Sequence, residues 1–225
     1  MFKGFSEQTL AFMWSLRFNN EKSWFEAHRS DFQQQLAVPM RCLAETVYDG
    51  FSQAADDLGL NLHISRIYRD ARRLHGNGPY KDHLWFTLRQ EPQDWTDKPA
   101  FWFELLPESW SYGLGFYCAR AETMAKLRAR IDNKPREIKK LMTAFGRQSE
   151  FILEGDSYKK PKGDPGGVLS ELYNKKTFSL IHEEENSPLL YSPDFAQRII
   201  EGFNFLVPYY RYFSTLDSDS APRKD

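Results

Sequence analysis

The pattern that decides the fold changes at residues 60–65, which read LNLHIS. Leu60, Leu62 and Ile64 alternate with polar residues, as in a strand with one buried face. Before this stretch the hydrophobic residues recur at helical spacing, and after it the alternation continues in several further segments. The sequence therefore predicts helices first and a sheet second.

Three helices are predicted before the sheet, and the first is capped by Ser6. The expected inward residues of this first helix are Leu10, Met13, Trp14 and Phe18. A second helix is expected to begin at Glu21 and to bury most of Trp24 and Phe25, and Pro39 suits the first turn of a third. Helical spacing returns over residues 122–131 and 135–145.

Alternating segments at residues 81–89, 100–106 and 110–118 follow the first strand and predict an antiparallel meander. A further strand is expected near residues 177–182. We therefore expect an α+β fold in which an antiparallel sheet of about four or five strands is covered by helices on one face. The N-terminal helices precede this sheet.

The composition is that of a folded globular protein, with 41% hydrophobic and 27% charged positions among 225 residues. It predicts a single α+β domain over residues 1–213 and a disordered tail over residues 214–225. The 30 Lys and Arg residues nearly balance the 31 Asp and Glu residues. This balance argues against a nucleic-acid-binding protein with a basic surface, although such a protein remains an alternative.

The two cysteines, Cys42 and Cys118, match no metal or redox spacing, which indicates a reducing compartment and hence the cytoplasm. We see neither a secretion signal nor a stretch of about 20 apolar residues that could cross a membrane. The five histidines show no HxxxH or HExxH pairing, so we expect no metal and no cofactor. The oligomeric state stays open.

Residues 65–83 read SRIYRDARRLHGNGPYKDH and concentrate positive charge. The turn formers in residues 76–79 predict that residues 60–70 pair with residues 81–88, which returns Lys81 toward Asp70. Without a bulge, four residues would share the core-facing side with Leu62 and Ile64: Arg66, Tyr68, Asp70 and Arg72. Buried arginines need anionic partners, so this end of the strand should open into a cleft or meet carboxylates.

Two interpretations of this basic segment follow. In the first, the guanidinium groups and the Lys81 ammonium bind a small anionic ligand such as a phosphate, a nucleotide or a carboxylate, while Asp70 orients an arginine or acts as a catalytic base. The candidate ligand-binding residues are Arg66, Arg69, Arg72, Tyr80, Lys81 and His83. In the second, the charges form a structural ion-pair network in a non-catalytic scaffold or interaction module. Whether the protein is an enzyme stays open.

Tryptophan is a further candidate feature. Four tryptophan side chains could form a stacking platform for bases: Trp24, Trp85, Trp102 and Trp110. Aromatic residues at alternate strand positions belong more often to a hydrophobic core, and this interpretation is preferred for the set.

Several segments resemble the bacterial and fungal family catalogued as domain of unknown function 2461. They are NNEKSWF at 19–25, RIYRDAR at 66–72, PYKDH at 79–83, and the stretch from NKKTFSL to PYYRYF at 174–213. The resemblance covers nearly the whole chain. It implies that the family's marker positions are Asn20, Trp24, Phe25, Arg66, Arg69, Asp70, Arg72, Tyr80 and Lys81. It implies no activity.

Overall fold

The computed structural model describes residues 1–70, 72, 78–91 and 95–220. Its α-helices are α1 (Glu7–Phe18), α2 (Lys22–Ala27), α3 (Arg29–Asp31), α4 (Val38–Ala55), α5 (Ala121–Asn133), α6 (Pro135–Phe145), α7 (Ser170–Tyr173) and α8 (Asp194–Ser214). Its strands are β1 (Asn61–Ile64), β2 (Leu84–Arg89), β3 (Pro99–Leu105), β4 (Ser109–Phe116), β5 (Ile152–Glu154) and β6 (Ser179–Glu185). A π-helical segment, Phe32–Ala37, joins α3 to α4.

The strands in the described residues form a six-stranded antiparallel sheet with the order β1-β2-β3-β4-β6-β5. The first four strands are neighbours in chain order, so the predicted meander is confirmed. The α+β class is confirmed as well, with one strand more than the four or five expected. The additional strand is β5, which pairs with β6 through only three residues and contains no buried one. Its short length gives no alternation that a sequence pattern could reveal.

Helix α1 begins as predicted, but of the expected inward residues only Met13 is buried. The Ser6 hydroxyl accepts a hydrogen bond from the Thr9 N–H over 3.3 Å and caps the helix. The buried residues of α1 are Thr9, Phe12, Met13 and Leu16. Phe18, which was expected inside, is 77% exposed and stacks on Trp14 at a centroid distance of 5.8 Å. Residues four positions apart lie on the same side of a helix, and here the two rings contact each other on the exposed side. Helical spacing alone therefore did not show which side of α1 faces the core.

The chain divides into two compact units. The first contains Met1–Leu88, Trp102–Tyr112 and Glu183–Asn204, and the second contains Arg89–Phe101, Gly113–His182 and Phe205–Asp225. The expectation of one domain over residues 1–213 stays a prediction. In each unit, aromatic side chains of the strands pack on α8.

In the first unit, Phe103 and Trp110 contact Phe195 at centroid distances of 5.7 and 4.8 Å. In the second, Phe116 and Phe178 contact Phe213 at 6.3 and 4.9 Å. One face of the strands in each unit is therefore covered by a helix, as the alternation predicts.

The C-terminal residues differ in part from the expected disordered tail. Thr215–Ser218 form a 3-10 turn, and Leu216 within it is buried. Asp219 accepts a hydrogen bond from Arg130 Nε over 2.6 Å. Residues 221–225 of the expected tail lie outside the described residues. No helix in the described part of the chain is long and apolar enough to span a bilayer.

Candidate functional site

The chain between β1 and β2 extends the pairing of these two strands. The Arg69 N–H donates to the Pro79 carbonyl over 2.8 Å, and the Lys81 N–H donates to the Ile67 carbonyl over 2.7 Å. The predicted return of the chain is confirmed by these bonds. Of the predicted turn formers, Gly76 and Asn77 lie outside the described residues.

The predicted register is wrong beyond Ser65. The Ser65 N–H donates to the Trp85 carbonyl over 2.8 Å, but the Trp85 N–H donates to the Ser65 hydroxyl over 3.0 Å. A side chain thus replaces a backbone acceptor in the ladder, and the alternation shifts after it, as at a bulge. Ile67 is buried instead of its neighbours. The residues expected on the core side are all exposed: Arg66, Tyr68, Asp70 and Arg72.

Tyr80 occupies the core rather than an open site. Its side chain stacks on Phe25 with ring centroids 4.0 Å apart, and only 2% of Tyr80 is exposed. Burial raises the pKa of the Tyr80 hydroxyl. The backbone of Tyr80 is bound by the side chain of Asn20 through two hydrogen bonds. These contacts give Asn20, Phe25 and Tyr80, all marker positions of the resemblance, a role in positioning the segment that carries Lys81.

Arg69 belongs to an ion-pair network. Its Nε donates to the Tyr80 carbonyl over 2.8 Å, and its Nη2 lies 3.5 Å from Asp82 Oδ1. The other carboxylate oxygen of Asp82 accepts from Arg17 Nε over 2.5 Å, and Arg17 also binds Glu108. Burial acts to raise the pKa of Asp82, but the hydrogen bonds from Arg17 and His83 outweigh it and keep this pKa below its ordinary value.

Asp70 and Arg72 form a separate surface pair. Arg72 Nη2 donates to Asp70 Oδ2 over 2.8 Å, and the Arg72 side chain is 88% exposed. The Asp70 carboxylate also accepts from the Arg72 N–H over 3.0 Å, so it organises the local backbone. Such an exposed pair offers little of the desolvation that a catalytic carboxylate uses.

Lys81 differs from these arginines because it is half-buried and has no carboxylate partner at ion-pair distance in the described residues. Residues 71 and 73–77, which the structure does not describe, contain no acidic residue in the sequence. Burial lowers the pKa of Lys81, and the positive charges of Arg69 and Arg66 lower it further, while Glu104 opposes them. Lys81 Nζ lies 5.5 Å from the centre of the Trp85 ring. The described residues therefore neutralise this cation only poorly.

His83 and Glu104 lie beside this cation on the sheet. His83 Nε2 is 3.7 Å from Glu104 Oε1, and His83 Nδ1 is 3.2 Å from Asp82 Oδ1. Burial raises the pKa of Glu104, although His83 and Lys81 act in the opposite direction. The Glu104 carboxyl group therefore keeps its proton up to a higher pH than an ordinary glutamate does.

We call Lys81, His83, Trp85 and Glu104 the Lys81 cluster. Of the candidate site residues, it contains Lys81 and His83, and Arg66 is close enough to influence the Lys81 charge. Arg69, Tyr80, Asp70 and Arg72 have the separate contacts given above. Glu104 was expected only as a possible carboxylate partner in the structural network and not as a site residue, although a carboxylate within the hydrophobic strand PAFWFEL is an unusual feature that could have identified it.

Comparison with known protein families identifies a match over most of the chain. The profile of a family described as Conserved hypothetical protein (DUF2461) matches residues 8–212, and thus includes the whole Lys81 cluster. No curated protein matches the chain.

Proposed function

This chain belongs to the conserved hypothetical protein family DUF2461, and for it we propose a binding site for a small anion, centred on Lys81. The observation that carries the proposal is the half-buried Lys81 ammonium, which has two guanidinium neighbours and no carboxylate at ion-pair distance in the described residues. Holding like charges together at a partly desolvated position costs folding free energy. A bound phosphate or carboxylate would remove this cost.

The chemistry of the ligand follows from the donors around Lys81. Lys81 supplies a compact positive charge, and Arg66 is exposed and free of any ion pair among the described residues. The guanidinium of Arg69 is engaged by Asp82 and the Tyr80 carbonyl. Arg69 therefore adds positive charge near Lys81 and is not expected to bind the ligand directly. Phosphate and carboxylate oxygens are the acceptors that such cations prefer.

A structural network, the alternative function of these charges, accounts for a different part of the segment. The Arg17, Asp82 and Arg69 contacts connect α1 to the chain between β1 and β2 and have the form expected of a scaffold. In the part of the chain that the structure describes, no carboxylate of that network lies at ion-pair distance from Lys81. The anion site and the network therefore use neighbouring residues for different purposes.

We further propose a cytoplasmic location. Both cysteines, Cys42 and Cys118, are free thiols. Free thiols are typical of proteins in a reducing compartment.

The test compares thermal unfolding with and without inorganic phosphate at constant ionic strength, for the parent, Lys81→Gln and Lys140→Gln. Lys140 is exposed and provides the same change of charge away from the site. Because a ligand that binds only the folded state raises Tm, phosphate should stabilise the parent and Lys140→Gln but not Lys81→Gln.

Without phosphate, Lys81→Gln should be as stable as the parent or more stable, since the substitution removes an uncompensated charge. The proposal fails if phosphate, sulfate and small carboxylates all leave the Tm of the parent unchanged. A marked loss of stability in Lys81→Gln without ligand would instead assign Lys81 to the structural network.

A further inference from the structure

One face of β2 and β3 carries the core, and the opposite face carries a different set of residues. Phe86 and Phe103 stack at a centroid distance of 5.3 Å, and Phe103 contacts Phe195 of α8. Because successive strand residues alternate between faces, their sequence neighbours lie on the other side. We call this other side the Trp85 face, and its residues are Trp85, Thr87, Trp102 and Glu104.

The two tryptophans of this face have no aromatic partner among the described residues. Trp85 and Trp102 are both half-buried. The Trp85 ring makes a cation–π contact with the Lys81 ammonium. Trp110, in contrast, is fully buried and packs edge-on against Phe195 at 4.8 Å. Large rings that are partly accessible and lack a stacking partner offer surface to a planar ligand.

Thr87 also lies on the Trp85 face and is buried there. It is 5% exposed, and its hydroxyl has no hydrogen-bond partner in the described part of the chain. A buried hydroxyl is normally paired, so an unpaired one calls for an explanation. Thr87 follows Trp85 by two residues and so lies on the same face as the two tryptophans.

We propose that the Trp85 face binds the planar ring of an aromatic anion of the nucleoside monophosphate type, whose phosphate lies at Lys81. This inference rests on the proposed anion site and specifies the class of its ligand. The ring stacks on Trp85 or Trp102, which are on neighbouring strands. Glu104 and His83 are placed to hydrogen-bond to the polar edge of such a ring.

Recognition of the ring depends on the geometry of the face rather than on charge alone. An anion site without a platform would bind inorganic phosphate and a sugar phosphate about as well as a nucleotide. Stacking on one aromatic side chain typically changes the affinity for a base by about tenfold or more. The ring should therefore add affinity that the phosphate does not provide.

The experiment is isothermal titration calorimetry, which measures the affinity of the full chain for adenosine monophosphate, ribose 5-phosphate and inorganic phosphate. We expect the nucleotide to bind about tenfold more tightly than ribose 5-phosphate. The double variant Trp85→Leu/Trp102→Leu should remove this difference, and Trp102→Leu, which leaves the Lys81 cluster intact, should keep phosphate binding. Trp95→Leu serves as the control, because Trp95 is also half-buried and also has a cation over its ring, the Arg89 guanidinium at 4.1 Å.

The outcomes separate this inference from the proposed function. Equal affinities for the nucleotide and ribose 5-phosphate would overturn the ring platform and leave the anion site intact. If none of the three compounds binds the parent, the anion site itself is wrong. Should a tryptophan variant fail to fold, Trp85→Phe and Trp102→Phe keep a stacking ring, and both must retain the preference for the nucleotide.

Discussion

The side chain of Asn20 binds both backbone groups of Tyr80. Asn20 Nδ2 donates to the Tyr80 carbonyl over 2.9 Å, and the Tyr80 N–H donates to Asn20 Oδ1 over 3.0 Å. The amide thus acts like a neighbouring strand and holds the chain between α1 and α2 against the segment that precedes Lys81. The two hydrogen bonds fix the backbone next to Lys81 and thus the position from which the Lys81 side chain extends.

Gly78 makes this contact possible, so Gly78→Ala should destabilise the protein by about 1 to 3 kcal/mol. A Cβ at residue 78 would lie 2.4 Å from Asn20 Cγ and 2.5 Å from the Asn20 carbonyl oxygen, and the backbone oxygen cannot move aside easily. Urea unfolding measures the loss. Gly146→Ala is the control, since its added Cβ would meet no atom closer than 3.6 Å. Equal stability of the two variants would show that the close approach is unimportant.

Phe25→Ala should lower the free energy of unfolding by roughly 3 to 5 kcal/mol. Phe25 is 1% exposed and stacks on Tyr80, so its removal leaves a cavity beneath the segment that carries Lys81. Phe18→Ala is a matched control, because Phe18 is 77% exposed. The control should change stability by only about 0.5 kcal/mol. A loss below about 1 kcal/mol for Phe25→Ala would contradict its place in the core.

Asp82→Asn should destabilise the protein at neutral pH by about 2 kcal/mol, because Asp82 accepts a charged hydrogen bond from Arg17 and a further hydrogen bond from His83. The pKa of Asp82 is lowered in the folded state, so its contribution exists above the ordinary value of 3.8 and is lost as the pH falls through the lowered pKa. Urea unfolding of parent and variant between pH 2 and pH 7 measures this, and the difference should shrink toward the acid end.

Asp70→Asn is the control for that series, since it removes a carboxylate from an exposed pair with Arg72. Its effect at neutral pH should be clearly smaller. If Asp70→Asn were as destabilising as Asp82→Asn, the distinction between the structural network and the surface pair would be wrong.

The elements of this fold were predictable from the sequence where hydrophobic spacing or a resemblance indicates them. The meander follows from alternation, and Phe25 was correctly expected to be buried, whereas Trp24 beside it is only half-buried. The register beyond Ser65 was not predictable, because one hydroxyl accepts a bond that the backbone would otherwise make. A spacing rule cannot distinguish these two acceptors.

The candidate site was predicted only in part for a similar reason. Positive charge in residues 65–83 indicated the region, and Lys81 is there. Which cation is neutralised depends on Arg17, Asp82 and Glu108, which lie far apart along the chain and meet only in the fold. Glu104 belongs to the cluster for the same reason, since a different strand brings it to His83.

Glu104→Gln provides the last prediction, and it concerns pH. The pKa of Glu104 is raised in the folded state, chiefly by burial, so the folded protein binds this proton more tightly than the unfolded chain does. As the pH rises from the ordinary value of 4.5 through the raised pKa, the folded state therefore loses stability relative to the unfolded state. Glutamine cannot ionise, so Glu104→Gln should gain stability relative to the parent over that range.

Urea midpoints of the parent, Glu104→Gln and Glu154→Gln between pH 4 and pH 8 provide the measurement. Glu154 is exposed on β5, and its substitution removes one carboxylate outside the Lys81 cluster. The difference between Glu104→Gln and the parent should grow with pH and then level off above the raised pKa. A difference that shrinks as the pH rises would mean that Lys81 and His83 stabilise the ionised carboxylate more than burial disfavours it. Glu104 and Lys81 would then form a structural ion pair, and Lys81 would be neutralised by the protein itself.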